Sequence, residues 1–251
     1  MSEKQPERSA PDATSAGGGF ETTHWSAVLL AAKESSAESR QALAELCQAY
    51  WLPLYAYVRC RVGDAHRAED LVQTFFAQLL EKDFLRSVDP DKGRFRAFLL
   101  TAMKRSMANQ WDRQTALKRG GGTSPLSLDF EVADRHYRAT RDRSLRPDHL
   151  YLQNWVRTLL ERVFERLGTE YEAAGKGEQF RCLKPFIVGD DDRWSRTEVA
   201  EQLQCSGGAV RVAVHRLRRR YRQVLREEVA QTVQSPEDVE DEIRSLFQAF
   251  A

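Results

Sequence analysis

Residues 195–226 read SRTEVAEQLQCSGGAVRVAVHRLRRRYRQVLR. Ser195 and Glu198 stand in the S-x-x-E relation of a capping box, which predicts a short helix through Gln204. Cys205-Ser206-Gly207-Gly208 predicts a tight turn, with Ser206 as the next N-cap. A longer helix then runs past Tyr221. Its Val210, Val214, Leu217 and Tyr221 share one face, which can pack on Val199 and Leu203. Two helices joined by a short glycine-containing turn make a helix-turn-helix. About 100° around the second helix, Arg211, His215, Arg218 and Arg222 form another stripe. The DNA major groove admits one helix, and guanidinium groups are the commonest readers of guanine edges. Arg216, Arg219 and Arg220 flank the stripe and suit phosphates.

The charge balance points the same way. The chain has 251 residues and a net charge of only +1. Residues 193–226 nevertheless carry nine arginines against Glu198 and Glu201. Residues 92–119 carry Lys92, Arg94, Arg96, Lys104, Arg105, Arg113, Lys118 and Arg119 against Asp112. Each segment is therefore +7, and the rest of the chain −13. Two basic helical segments in an otherwise acidic protein suggest two separate contacts with nucleic-acid phosphates.

Outward from these segments the pattern stays helical. Leu43, Leu46, Cys47, Tyr50, Leu54, Tyr57 and Val58 step by three and four, with Pro53 expected to kink or split their helix. Gly63 is a stop signal. Ala68, Leu71, Val72, Phe75, Phe76, Leu79 and Leu80 form a second face; Phe95, Phe98, Leu99, Ala102 and Met103 form a third. Leu152, Trp155, Val156, Leu159, Leu160, Val163, Phe164 and Leu167 mark a strong later helix. No segment alternates with period two for more than a few residues. The fold class is all-α: two small helical domains joined by a flexible linker, the C-terminal one containing the helix-turn-helix. The boundaries are a disordered N-terminal tail over 1–20, a first domain over 21–118, a linker over 119–149, a second domain over 150–230 and an amphipathic extension over 231–251. The linker opens Gly120-Gly121-Gly122, contains Pro125, ends at Pro147 and holds few apolar residues.

Several classes are excluded by composition and motif. No apolar run approaches the ~20 residues that cross a bilayer, and residues 1–19 lack the apolar core of a secretory signal. Mean hydropathy is −0.58, and the expected location is the cytoplasm. Cys47, Cys60, Cys182 and Cys205 form no CxxC, so neither a disulfide framework nor a zinc site is expected. His24, His66, His136, His149 and His215 have no metal-ligand spacing. No nucleophile elbow, zincin motif or P-loop occurs, so neither a cofactor nor an enzyme is expected. Asp190-Asp191-Asp192 suits a solvated acidic loop better than a metal site.

Ser206-Gly207-Gly208-Ala209-Val210-Arg211 with His215-Arg216-Leu217-Arg218 resembles the last helix of sigma-70-type RNA polymerase sigma factors, most of all the extracytoplasmic-function (ECF) group. Ala68-Glu69-Asp70-Leu71-Val72-Gln73-Thr74-Phe75-Phe76 resembles that family's polymerase-binding helix. Phe95-Arg96-Ala97-Phe98-Leu99, followed by Lys104-Arg105, resembles its helix that melts and reads the −10 element. The three stand in the family order and span residues 22–229. The resemblance implies core RNA polymerase and promoter DNA as partners, with an anti-sigma factor as a further candidate. Glu69, Asp70 and Gln73 are then the polymerase-binding residues. Arg94, Arg96, Lys104, Arg105, Asn109, Trp111 and Arg113 are candidates for the −10 region, Asn109 and Trp111 for bases and the cations for phosphates. For Trp111 a core position is equally open, and Phe95 and Phe98 are expected in the core. Ser206, Arg211, His215, Arg216, Arg218, Arg219 and Arg222 are candidates for the −35 region. By the same resemblance, the linker passes through the RNA exit path.

The chain departs from the family where Val212-Ala213 replaces the usual small-polar and basic pair, and where Glu178 to Trp194 lengthens the approach to the helix-turn-helix. Two rivals remain open on the residues: a free-standing helix-turn-helix regulator, and a sigma-mimicking module that captures an anti-sigma factor. In the extension, Ser235 caps, Pro236 sits in the first turn, and Glu237, Asp238 and Glu240 suit the helix dipole. Val239, Ile243, Leu246, Phe247 and Phe250 line one side. This helix is expected to dock on the last domain, its acidic turn near the arginine-rich helix; binding a partner protein is the alternative.

Overall fold

The computed structural model describes residues 37–80, 94–114, 128–140, 144–189 and 195–248. Among them there is no strand. The N-terminal tail, Gly120–Gly122, Pro125, Asp190–Asp192 and Phe250 lie outside the described residues.

Helix α1 (Ala37–Val62) is central. Residues 53–58 are buried one after another, so this stretch is apolar all round and needs partners on every side. Pro53 does not split the helix, which runs through it. Gly63 ends it at φ +76°, a left-handed conformation that glycine adopts without a Cβ clash. Helix α2 (Ala65–Leu79) follows, capped by Asp64, whose side chain accepts from the Arg67 amide at 2.8 Å. It buries Ala68, Leu71, Val72, Phe75, Phe76 and Leu79. Helix α3 (Phe95–Gln114) packs on both. Phe95 is buried as expected, and Phe98 is half-buried.

The segment expected as a flexible linker contains helix α4 (Phe130–Thr140), which packs on α1. Leu128, Phe130, Ala133 and Tyr137 supply its inner side, with Ala133 and Tyr137 fully buried. On α1 the receiving residues are Trp51, Tyr55 and Arg59, one helical face at steps of four. Phe130 lies edge-on to Trp51 at 5.2 Å between ring centroids. Arg59 Nε donates to Asp134 Oδ1 at 2.8 Å, and the Tyr55 hydroxyl donates to the same oxygen at 3.1 Å. The Arg59 guanidinium also lies over the Tyr137 ring.

Helix α5 (Pro147–Ala173) covers the remaining side of α1. Trp155 stacks on Tyr50, centroids 4.4 Å apart and planes 14° apart. Tyr151 meets Tyr57 edge-on, and Phe95 reaches Trp155. Short helices α6 (Gly177–Leu183) and α7 (Pro185–Val188) lead to α8 (Arg196–Gln202) and α9 (Gly207–Ala230). A 3-10 turn, Pro236–Asp238, opens α10 (Val239–Gln248). Because α5 packs on α1 with one end and on α9 with the other, the core is continuous from Leu43 to Leu246. The halves on either side of α4 share it.

Candidate nucleic-acid interface

Helices α8 and α9 take the local form their capping residues dictate. The Ser195 hydroxyl accepts from the Glu198 amide at 3.2 Å, and Glu198 Oε2 accepts from the Ser195 amide at 3.0 Å. Gln204 turns the chain at φ +49°. The Ser206 hydroxyl then accepts from the Ala209 amide at 3.2 Å, so it is committed to capping α9. Val199 of α8 is buried, as are Val210, Val214 and Leu217 of α9. That packing leaves Arg211, His215, Arg216, Arg218, Arg219 and Arg222 exposed. Two arginines are tied down. Arg218 Nη2 donates to the Phe186 carbonyl at 2.7 Å. Arg220, flanking the stripe, pairs with Glu170 at 2.5 Å and Glu227 at 3.3 Å. The hydrogen bond from Arg220, against a smaller effect of burial, holds the Glu170 carboxyl below the usual range.

On α2, Asp70 is exposed and Glu69 and Gln73 are half-exposed. Gln73 Nε2 donates to Glu69 Oε1 at 3.3 Å, one turn apart. Glu69 and His66 line a cleft whose other wall is α4, with Asp129, Asp134 and Arg138. The polar face of α2 is therefore open at Asp70 and narrowed at Glu69.

The basic residues of α3 divide into two sets. Arg105 and Asn109 are exposed. Trp111 and Arg113 lie in the last turns of α3, and their side chains are outside the described residues. Lys104 pairs with Asp148 of α5 at 2.7 Å and sits over the Tyr57 ring. Arg94 and Arg96, by contrast, converge on one carboxylate. Arg96 Nε reaches Glu242 Oε1 at 2.6 Å, and Arg94 Nε reaches Glu242 Oε2 at 2.7 Å. Around them the Phe95 amide donates to the Thr232 carbonyl at 3.1 Å, and the Tyr151 hydroxyl donates to the Arg96 carbonyl at 2.8 Å.

The extension docks on α9, as expected, and also reaches the start of α3. Its acids face two places. Glu240 pairs with Arg226 at 2.5 Å, one turn beyond Arg222 at the C-terminal end of the Arg211–Arg222 stripe. Glu242 serves Arg94 and Arg96. The inner side of α10 is Val239, Glu242 and Leu246, with Ile243 half-buried and Phe247 44% exposed. Sequence reasoning missed Glu242 because a carboxylate on an apolar face is discounted. Its spacing from Val239 and Leu246, three and four residues, was the available signal.

The cysteines are all free: Cys47 and Cys182 buried, Cys60 half-buried, Cys205 exposed. Burial pushes the Cys47 thiol far up, which makes it a small core hydrophobe. Among the described residues no group of three His, Cys, Asp or Glu could hold a metal, and no helix is long and apolar enough to cross a membrane.

Residues 46–116 match the family described as Sigma-70 region 2. The match takes in most of α1 and all of α2 and α3. A region of this family binds RNA polymerase and recognises promoters, and the match covers 71 of the 251 residues. No curated protein and no solved structure matches the chain.

Proposed function

We propose that this chain, a sigma-70 family sigma factor by its region 2, is one of the extracytoplasmic-function group and acts in the cytoplasm at promoters with two elements. The observation that carries the reading is the match over residues 46–116, which spans both α2 and α3. A sigma factor carries out no bond chemistry; it positions a polymerase and holds a strand open. Asp70, Glu69 and Gln73 on α2 dock on core RNA polymerase. Arg94, just before α3, and Arg96, Lys104, Arg105, Asn109, Trp111 and Arg113 on α3 serve the −10 element. In the second half, α8 and α9 act as a helix-turn-helix at the −35 element. Ser206 orients the start of α9, Arg211, His215 and Arg222 face bases, and Arg216 and Arg219 hold phosphates. The Arg218 bond to the Phe186 carbonyl supports a second role for that residue, holding α9 against α7. An anti-sigma factor is a further candidate partner.

The test is transcription in vitro with purified core polymerase on a genomic fragment library, which reads both function and promoter. Wild type is expected to give discrete start sites. Asp70→Lys with Gln73→Ala is expected to lose polymerase co-purification and start sites together, with its helical circular dichroism unchanged. Undiminished co-purification of that variant removes α2 as the docking surface.

A further inference from the structure

The Glu242 side chain is 0% exposed. It is a full charge withdrawn from water on the docked face of a terminal helix, flanked by Val239 and Leu246. An apolar residue there would pack without desolvation cost, and replacing buried ion pairs by apolar residues is often neutral or stabilising. Stability alone therefore gives no reason for a glutamate. What the carboxylate does is specific. Arg96 binds it in bidentate fashion, Nε to Oε1 at 2.6 Å and Nη2 to Oε2 at 3.1 Å. Arg94 Nε adds a third contact at 2.7 Å. One turn on, the Ser245 hydroxyl accepts from Arg94 Nη1 at 2.8 Å and Arg96 Nη2 at 3.1 Å. Two guanidinium groups thus close on three oxygens with one negative charge. That is the donor fork and the charge that a phosphodiester would satisfy.

We propose that α10 occupies a nucleic-acid phosphate site in the same molecule, with Glu242 and Ser245 standing where a DNA backbone phosphate binds Arg94 and Arg96. The inference rests on the reading of α3 as the DNA-facing helix. Binding is an exchange: a phosphate takes the two arginines, the Glu242 carboxylate returns to water, and α10 leaves the start of α3. The Lys104–Asp148 pair is a weaker contact of the same kind, since both side chains are more than 40% exposed. Breaking a buried pair is costly, so the exchange weakens the hold of the free protein on DNA through Arg94 and Arg96.

The experiment uses the full chain without polymerase and a short fluorescent single-stranded DNA, titrated at several salt concentrations. Glu242→Gln keeps the shape of the side chain and removes its charge. It is expected to bind more tightly and to steepen the dependence of log affinity on log salt by about 0.7, the increment for one phosphate on single-stranded DNA. Its advantage over wild type then shrinks about 2.6-fold between about 50 and about 200 mM salt. Adding Arg94→Ala and Arg96→Ala to Glu242→Gln is expected to abolish the gain. Hydrogen exchange supplies a measurement on the unaltered protein: saturating DNA is expected to speed exchange of residues 239–248. Wild-type affinity and slope in Glu242→Gln overturn the proposal. So does a helix α10 that stays protected in the DNA-bound wild type. The sigma-factor reading fails separately, on whether core polymerase co-purifies with the chain, and that result leaves the salt slopes as they stand.

Discussion

Trp155→Ala probes whether the two halves stand or fall together. Trp155 is 0% exposed. It lies on α5, yet its ring meets Tyr50 of α1 at 4.4 Å, Phe95 of α3 at 6.2 Å and Tyr151 at 6.0 Å. Its indole nitrogen has no hydrogen-bond partner among the described residues, so truncation strands no acceptor and removes packing alone. Truncating a buried tryptophan costs about 3–5 kcal/mol. For a chain of this size each kcal/mol lowers Tm by roughly 2–4 °C, so a fall of about 6–20 °C is expected. Thermal melts by circular dichroism read the fall, and hydrogen exchange at sub-melting temperature reads where protection is lost. The shared core requires loss over α2 and α3 as well as over α5 and α9. If only α5 to α9 loosen while α2 and α3 keep wild-type protection, the halves do not share a core in solution, and the packing argument built on Tyr50 and Trp155 fails.

Promoter reading separates by residue. Arg211→Ala is expected to cost about 1–3 kcal/mol at one base pair, whereas Arg219→Ala weakens binding evenly and lowers the salt slope by about one. Competition against singly altered promoters distinguishes them, and an identical, sequence-independent loss in both removes Arg211 as a base reader. The anchoring of α4 is expected to fail in acid. Burial raises the Asp134 carboxyl, but hydrogen bonds from Arg59 and Tyr55 with the charges of Arg59 and Arg138 outweigh it, so its pKa in the folded state lies below the ordinary value. The folded state binds fewer protons there than the unfolded one. The stabilisation is therefore complete above about pH 5 and is lost as pH falls below about 4 through the folded value. Denaturant melts against pH are expected to show a shallower acid slope for Asp134→Asn than for wild type; equal slopes exclude Asp134 as the titrating group.

Elements whose instructions are local were legible in the sequence. The capping box at Ser195 and Glu198, the Ser206 cap, the Gly63 stop and the apolar faces of α2 and α9 all depend on neighbours within a turn or two. Helix α4 was not legible, because its inner side is thin: Leu128, Phe130, Ala133 and Tyr137 lie among Asp129, Glu131, Asp134, Arg135 and Arg138. Its burial depends on Arg59 and Tyr55, more than seventy residues away. The continuous core was hidden for a related reason. The faces of α1 and α5 announce that they are apolar, not that they cover each other. At Pro53 only the split fails, since burial on every side of residues 53–58 holds one continuous helix where the backbone rule allows a break. The spacing of Glu242 was readable but its role was not, because the two arginines that neutralise it stand almost 150 residues upstream.

Docked on α1, helix α4 also sets a length. From Thr140, where α4 ends, to Pro147, where α5 begins, the chain can span at most about 25 Å even fully extended. While Arg59 grips Asp134, the start of α5 cannot travel farther than that from the end of α4, whatever happens to Glu242. With α4 detached and unwound, the tether begins at the end of α3 instead, and its limit rises to roughly 120 Å. The short leash and the long one allow very different separations between α3 and α9. Once α5 has left α1, the distance over which the protein can bridge two stretches of DNA is thus bounded by whether α4 stays docked, through contacts that touch neither stretch.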